Sequence, residues 1–288
     1  MAEAVQLVER FESLIDRYDG FIFDVWGTLY DGAEAYPAAV EVLRRLATRN
    51  KRVAILSNSP QRPEVVRARL DKLGIEPHHY QSLVTSGGAT SAHLKDRPNS
   101  FYQALGQRVF ETGPKRFPNL LDDTWFTATS DIEAAEVVLN SGPENPQAKA
   151  EDFDGLLNRA HARGLPMICA NPDLEVYVGS SVQICAGSIA AAYETLGGEV
   201  YYHGKPHAGV FENCLSDLAV AAADCLMVGD NIRTDVTGAR ALGMPALWLA
   251  NGIDRGALTT AHGIDLQQAT AMAAARGLSD ILLMAQLR

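Results

Sequence analysis

The stretch GFIFDVWGT at residues 20–28 decides how the rest of the chain is read. Phe21, Ile22 and Phe23 run together without polar alternation, as they do in a strand buried on both faces of a parallel sheet. The run ends in Asp24, and Gly27 then offers the backbone freedom of a tight turn. A carboxylate at the carboxyl end of a parallel strand stands where such sheets bind their ligands.

Outward from this strand, hydrophobic runs and helical patterns alternate. A helix is expected over residues 38–48, a strand over 52–56 (RVAIL), a helix over 63–73 closed by Gly74, and a strand over Ser82–Thr85. Upstream, Val5, Leu7, Val8, Phe11, Leu14 and Ile15 fall near a helical period, so an amphipathic helix is expected there. Between about residues 89 and 184 the pattern loosens into Pro and Gly breaks, with strands at 125–129, 136–139 and 166–169 and a helix over 153–163. The first pattern then resumes: helix 188–196, strand 200–203, helix 210–218, strand 225–228, helix 236–242 and strand Ala246–Leu249. The expected fold class is α/β, a Rossmann-like doubly wound parallel sheet interrupted by a second α/β domain. The core takes residues 1–88 and 187–288, and the inserted domain residues 89–186.

Composition narrows the partners. Lys plus Arg total 25 against 35 Asp plus Glu, a formal charge of −10. A broad grip on nucleic acid or anionic lipid needs the opposite sign. Hydrophobic content of 47 % with 21 % charged residues is that of a chain with an ample core. The cysteines Cys169, Cys185, Cys214 and Cys225 form no CxxC pair and read as buried thiols of a reduced compartment. The first residues resemble neither a signal peptide nor a membrane span. A soluble, cytoplasmic chain is expected, with no nucleic-acid or membrane partner; a homodimer is left open.

Four polar clusters fall at expected strand ends: Asp24 with Trp26, Gly27 and Thr28; Ser57-Asn58-Ser59; Gly204-Lys205-Pro206; and Gly229-Asp230-Asn231-Ile232-Arg233-Thr234-Asp235. Two carboxylates, a hydroxyl–amide turn and a lysine make a site for a hard cation and an anion. Mg2+ takes oxygen ligands such as Asp24 and Asp230. Ser57 and Asn58 offer donors to phosphate oxygens, and Lys205 a point charge. Asp24 is placed to attack phosphorus as a carboxylate nucleophile. Each cluster alone has an ordinary reading as a turn, a helix cap or a solvated loop; their order along the chain is what argues for chemistry. His203 and His207 stand four apart, but Gly204 and Pro206 between them break the helix that a zinc pair would need. Trp26, Trp125 and Trp248 read as core packing rather than as a base-stacking surface.

These clusters resemble the motifs of the haloacid dehalogenase superfamily: FIFDVWGTL, ILSNS, HGKPH and VGDNIRTDVTGA, in that order. The insertion between the second and third resembles the α/β cap of the class IIA, NagD-like sugar and nucleotide phosphatases. TSGGATSAHL resembles the way into that cap, CANPD a cap segment facing the active site, and GSIAAAYETLGGEVYYHGKP the return to the core. The resemblance implies a Mg2+-dependent phosphatase for a small phosphorylated metabolite, working through an aspartyl-phosphate. Asp24 is then the nucleophile. Ser57 and Lys205 orient phosphate, and Gly27, Asn58 and Ser59 lie along the phosphate site. Asp230 ligates the metal with Asp235 supporting it, and Asn171 and Asp173 are cap contacts.

One residue departs from the pattern. The family's first motif normally carries a second Asp two residues after the nucleophile, as acid/base; here Trp26 stands there. An indole donates one hydrogen bond and shuttles no proton at neutral pH, although the residue 26 carbonyl remains available to a metal. Asp31, near Gly32, reads as a turn residue more than as a stand-in. Two further readings stay open: a metal- and phosphate-binding protein with little turnover, and a carbon–halogen hydrolase, since dehalogenase members carry an aromatic at this position.

Overall fold

The apolar run forms the strand Gly20–Phe23, buried throughout, near the middle of a seven-stranded sheet. Across the sheet the order is Val5–Leu7, Ile281–Met284, Ala246–Leu249, Cys225–Gly229, Gly20–Phe23, Arg52–Ser57 and Ser82–Thr85. The pairings from Val5–Leu7 across to Arg52–Ser57 are parallel. From Gly20–Phe23 the chain moves to Arg52–Ser57 on one side and much later supplies Cys225–Gly229 on the other. The order therefore reverses at that strand, the position where open α/β sheets leave a crevice. In register, Phe23 faces Val228 on one side and Ile55 on the other, which brings the ends carrying Asp24, Ser57 and Asp230 level.

This computed structural model describes residues 4–178 and 181–288. The chain divides into two compact units, Met1–Ser57 with Arg67–Val84 and Lys205–Arg288, and Asn58–Val66 with Thr85–Gly204. In the first unit the helix Pro37–Thr48 starts on Pro37 and turns Ala39, Val42, Leu43 and Leu46 inward, one stripe at helical spacing. No helix among the described residues is long and apolar enough to cross a membrane.

The second unit has its own parallel sheet, ordered Val200–Tyr202, Met167–Cys169, Val137–Asn140, Arg108–Thr112 and Thr127–Thr129. Alternate residues serve two cores: Val138 joins Ile189, Ala190 and Tyr193, whereas Val137 and Leu139 join Leu94, Tyr102 and Leu105. A two-stranded antiparallel hairpin, Glu175–Val178 with Ser181–Ile184, completes it.

Three expectations are corrected. The amino-terminal segment is not an amphipathic helix: Val5–Leu7 is an edge strand on Ile281–Met284, and only Glu12–Ile15 is helical. The free edge of a distant strand supplies ladder hydrogen bonds that outweigh a weak helical period. Helix Ala186–Thr195 and strand Val200–Tyr202 do not return to the first sheet; they pack on and pair with the second, so the chain re-enters the first unit at Lys205 rather than at residue 187. Trp125 is not core: it is 46 % exposed, with the Arg97 guanidinium 4.5 Å from its ring.

The helix Pro37–Thr48 gives a direct test of the packing. Leu43→Ala should lower unfolding free energy by about 2–5 kcal/mol, as large-to-small core changes do. Its exposed neighbour, changed as Arg44→Ala, should cost no more than about 0.5 kcal/mol. Urea denaturation of both variants reads the difference.

Candidate active site

Asp24 leaves its strand with its N–H on the Val228 carbonyl (2.9 Å), so the neighbouring strand sets its height. The chain then turns sharply: Leu29 N–H donates to Val25 O at 2.9 Å and Gly27 N–H to Tyr30 O at 2.8 Å. Gly27 has φ +82°, and any Cβ there would overlap the Asp230 carboxylate. A Cβ on Gly252 would overlap the same carboxylate, and one on Gly229 that of Asp235. Three glycines thus let backbone close around two acids.

Asp230 follows the strand Cys225–Gly229, and its Oδ2 accepts the Ile253 N–H at 2.6 Å. Asp235 lies in the π turn Ile232–Val236, whose start is capped by the Asn231 side chain accepting from Arg233 N–H at 2.9 Å. Its Oδ2 accepts the Asn231 N–H at 3.1 Å. Lys205, 1 % exposed, donates to Asp24 Oδ1 and to the Leu56 carbonyl (3.2 Å), and its Nζ lies 2.7 Å from Asp235 Oδ1. One ammonium with three donors joins three strand ends.

Asp24, Asp230 and Asp235 offer oxygens that all lie within 4.8 Å of one another. With all three ionised, the buried carboxylates against one lysine would leave two negative charges uncompensated. Burial, reinforced by the neighbouring Asp24 and Asp235, raises the Asp230 pKa well above the ordinary carboxylate value. Burial likewise pushes Asp235 up to about 7, against the opposing pull of Lys205. Asp24 Oδ2 is buried with no hydrogen-bond partner among the described residues. An oxygen-only donor set, a double negative charge when all three are ionised and an orphaned carboxylate oxygen fit a divalent hard cation such as Mg2+.

Not every expected site residue joins this group. Ser57, buried, ends its strand beside the Asp24 strand. Asn58, Ser59, Asn171 and Asp173 belong to the second unit, where they bind one another or nearby backbone. Asn58 Nδ2 donates to Asp173 Oδ1 (2.9 Å), Asp173 N–H to Asn171 Oδ1 (3.0 Å), and Ser59 O accepts Gly87 N–H (3.0 Å). The Trp26 indole packs edge-on against Tyr30, centroids 5.0 Å apart, in the space a Cβ on Gly32 would fill. Asp31 is a turn residue: its Oδ1 accepts from Ala33 N–H (2.9 Å) and Glu34 N–H (2.8 Å), bonds that lower its pKa. His203 is buried, and its Nε2 faces Tyr102 Oη at 2.5 Å. The sequence reading missed Asp254, which accepts backbone and indole hydrogens behind Asp230; an Asp one residue beyond an Asn-Gly-Ile turn carries no signal of that task.

Two family models match the chain. One for haloacid dehalogenase-like hydrolases covers residues 21–126, and one described as HAD-hydrolase-like covers residues 202–275. The chain belongs to the haloacid dehalogenase-like hydrolases. Human chronophin is 28 % identical over 257 residues, 84 % of each chain. Ribonucleotide monophosphatase NagD of Escherichia coli K12 is 23 % identical, over 81 % of this chain and 87 % of that one. The crystal structure of a haloacid dehalogenase-like family hydrolase from Brucella suis 1330 is 28 % identical, with a TM-score of 0.83, covering 98 % of this chain and 100 % of that one. Within this hydrolase family frame, the two matched segments carry the whole acid cluster and Lys205, while Asn171 and Asp173 fall outside both.

The raised acids make the site's response to pH predictable. An Asp ionises near pH 4 in the unfolded chain, whereas folding holds the Asp235 proton up to about pH 7. In chelator, the stability present below about pH 4 should therefore be lost as pH rises toward 7. Mg2+ binds ionised carboxylates, so it should raise Tm more at pH 7.5 than at pH 5.5. Thermal melts at both pH values, with and without Mg2+, check this; an equal shift at both would contradict it.

Proposed function

We propose that this haloacid dehalogenase-like hydrolase is a Mg2+-dependent phosphatase for a small phosphorylated metabolite, with the first unit as catalytic core and the second as a substrate-selecting cap. The observation that carries this reading is the buried Asp24–Asp230–Asp235 group around Lys205, at the point where the strand order reverses. The relative named as a ribonucleotide monophosphatase supports the phosphate-ester class. Four buried, free thiols suit a cytoplasmic setting.

Asp24, Asp230 and Asp235, with the main-chain carbonyl of Trp26, would hold Mg2+, which when bound offsets charge on the phosphate. Lys205 fixes Asp24 through Oδ1 and so orients the carboxylate. Asp24 attacks phosphorus, the bond to the leaving oxygen breaks, and water then hydrolyses the aspartyl-phosphate to inorganic phosphate. Ser57 would hydrogen-bond a phosphate oxygen, and Asn58, Ser59, Asn171 and Asp173 are the second unit's candidate substrate contacts. Trp26 carries no titratable proton to give to the leaving oxygen. A second reading rests on that residue: the site binds metal and phosphate and turns over slowly. Carbon–halogen hydrolysis is less well supported, because nothing in that chemistry calls for three buried acids.

A screen of phosphorylated metabolites with and without Mg2+ tests the proposal; phosphate release that needs Mg2+ is expected, and release of halide from haloacids is not. Asp24→Asn should abolish release while the protein stays folded, because an amide is a poor nucleophile. Trp26→Asp should raise the rate most for esters with poor leaving groups, by up to about 10²–10⁴-fold, the usual worth of a general acid. A folded, Mg2+-binding Trp26→Asp variant without leaving-group dependence would assign Trp26 to another chemistry.

A further inference from the structure

Behind Asp230 stands a pair of residues that no motif contains. Trp248, fully buried on the strand Ala246–Leu249, faces Gly229 in register. Its Nε1–H is shared between the Asp230 carbonyl (3.2 Å) and Asp254 Oδ2 (3.1 Å). The same Asp254 oxygen accepts the Ile232 N–H at 2.9 Å. Asp254 occupies the N-cap position of the short helix Arg255–Leu258, yet its side chain makes no bond to that helix. An Asp at an N-cap ordinarily satisfies its own helix; this one reaches back across 22 residues to the loop that carries the buried acids.

The bonds bracket Asn231. Trp248 holds the backbone on its amino side at Asp230, and Asp254 holds it on its carboxyl side at Ile232. The Ile253 N–H, immediately before Asp254, holds the Asp230 side chain itself. The loop is thus fixed at two main-chain points and one carboxylate oxygen by a single neighbouring segment. Two buried like charges in one turn repel, and a loop free to relax would move them apart.

We propose that Trp248 and Asp254 form a clamp that positions Asp230 for Mg2+, acting as one unit rather than as two independent packing residues. The inference rests on the metal-site reading above. Partners behind a metal ligand fix its orientation, and their loss weakens metal affinity roughly 10–100-fold.

The test is Mg2+ affinity of chelator-stripped protein, measured by calorimetry together with thermal melts in chelator. Trp248→Phe keeps the ring and removes the N–H; Asp254→Ala removes the acceptor; Asp254→Asn keeps one acceptor oxygen. Each of the first two should weaken Mg2+ binding about ten-fold or more, with Asp254→Asn losing less. The double variant Trp248→Phe/Asp254→Ala should lose less than the product of the two single losses, because the Trp248–Asp254 bond is already broken in each. Asp230→Asn serves as the control and should abolish binding. Lowered Tm with unchanged Mg2+ affinity, or losses that simply add, would overturn the clamp. If Asp254→Ala fails to fold, Trp248→Phe and Asp254→Asn carry the test. Parent-like binding by Asp230→Asn would instead overturn the metal site itself.

Discussion

Three carboxylates held around one ammonium, out of water, is the constraint on which this structure turns. Moving a charge from water into a protein interior costs several kcal/mol even after relaxation, and like charges at short range add to that. Lys205 compensates part of it by contacting Asp24, Asp235 and the Leu56 carbonyl together. The rest is imposed by covalent geometry: parallel register sets Asp24 and Asp230 level, and the absent Cβ atoms of Gly27, Gly229 and Gly252 let backbone close on the Asp230 and Asp235 carboxylates. The sheet and its helices supply the stability that this strained centre draws down, the usual relation between a scaffold and its site.

That division explains what was legible beforehand. Strands such as Ala246–Leu249 and Gly20–Phe23 were readable because short, fully buried apolar runs bounded by turns have few alternatives. The edge strand Val5–Leu7 was not, since its partner Ile281–Met284 lies at the other end of the chain and no local pattern encodes that pairing. Strand Val200–Tyr202 was readable as a strand but not as a member of the second sheet, because a parallel crossover can close on either sheet without changing its own residues. The helix Ser86–Asp96 was hidden by Gly87 and Gly88, which weaken helix propensity but let the chain pass against the Pro60 carbonyl and the Pro63 ring.

The site divides in the same way. Asp24, Ser57, Lys205, Asp230 and Asp235 announce themselves as polar residues beyond apolar runs, and fold topology then gathers the acids. What the sequence does not contain is the partnership of each. Asn58 was expected to offer its amide to phosphate, and one of its two amide hydrogens meets Asp173, 115 residues away, a partner that no local pattern encodes. Trp248 reads as core, and it is core; that its one polar hydrogen meets the Asp230 carbonyl follows only from strand register. A buried Trp usually finds such a partner, so the side chain's chemistry predicts a bond but not its recipient.

Position 26 shows why a departure from a motif is better read as part of a structure than as a missing group. The turn after Asp24 is closed by backbone bonds at Gly27, Leu29, Asp31 and Tyr36, and by the Asp31 carboxylate on two amides. Gly32, at φ +101°, leaves open the volume that the Trp26 ring occupies. Tyr30 meets the ring edge-on and takes a hydrogen bond from Arg69 at 3.4 Å. Ring, glycine and tyrosine fit one another, so the indole is a fixed component of a rigid turn rather than a substitution resting in a loop shaped for a carboxylate. A carboxylate in the same place would lose that contact with Tyr30. The packing of the turn therefore favours the indole at position 26.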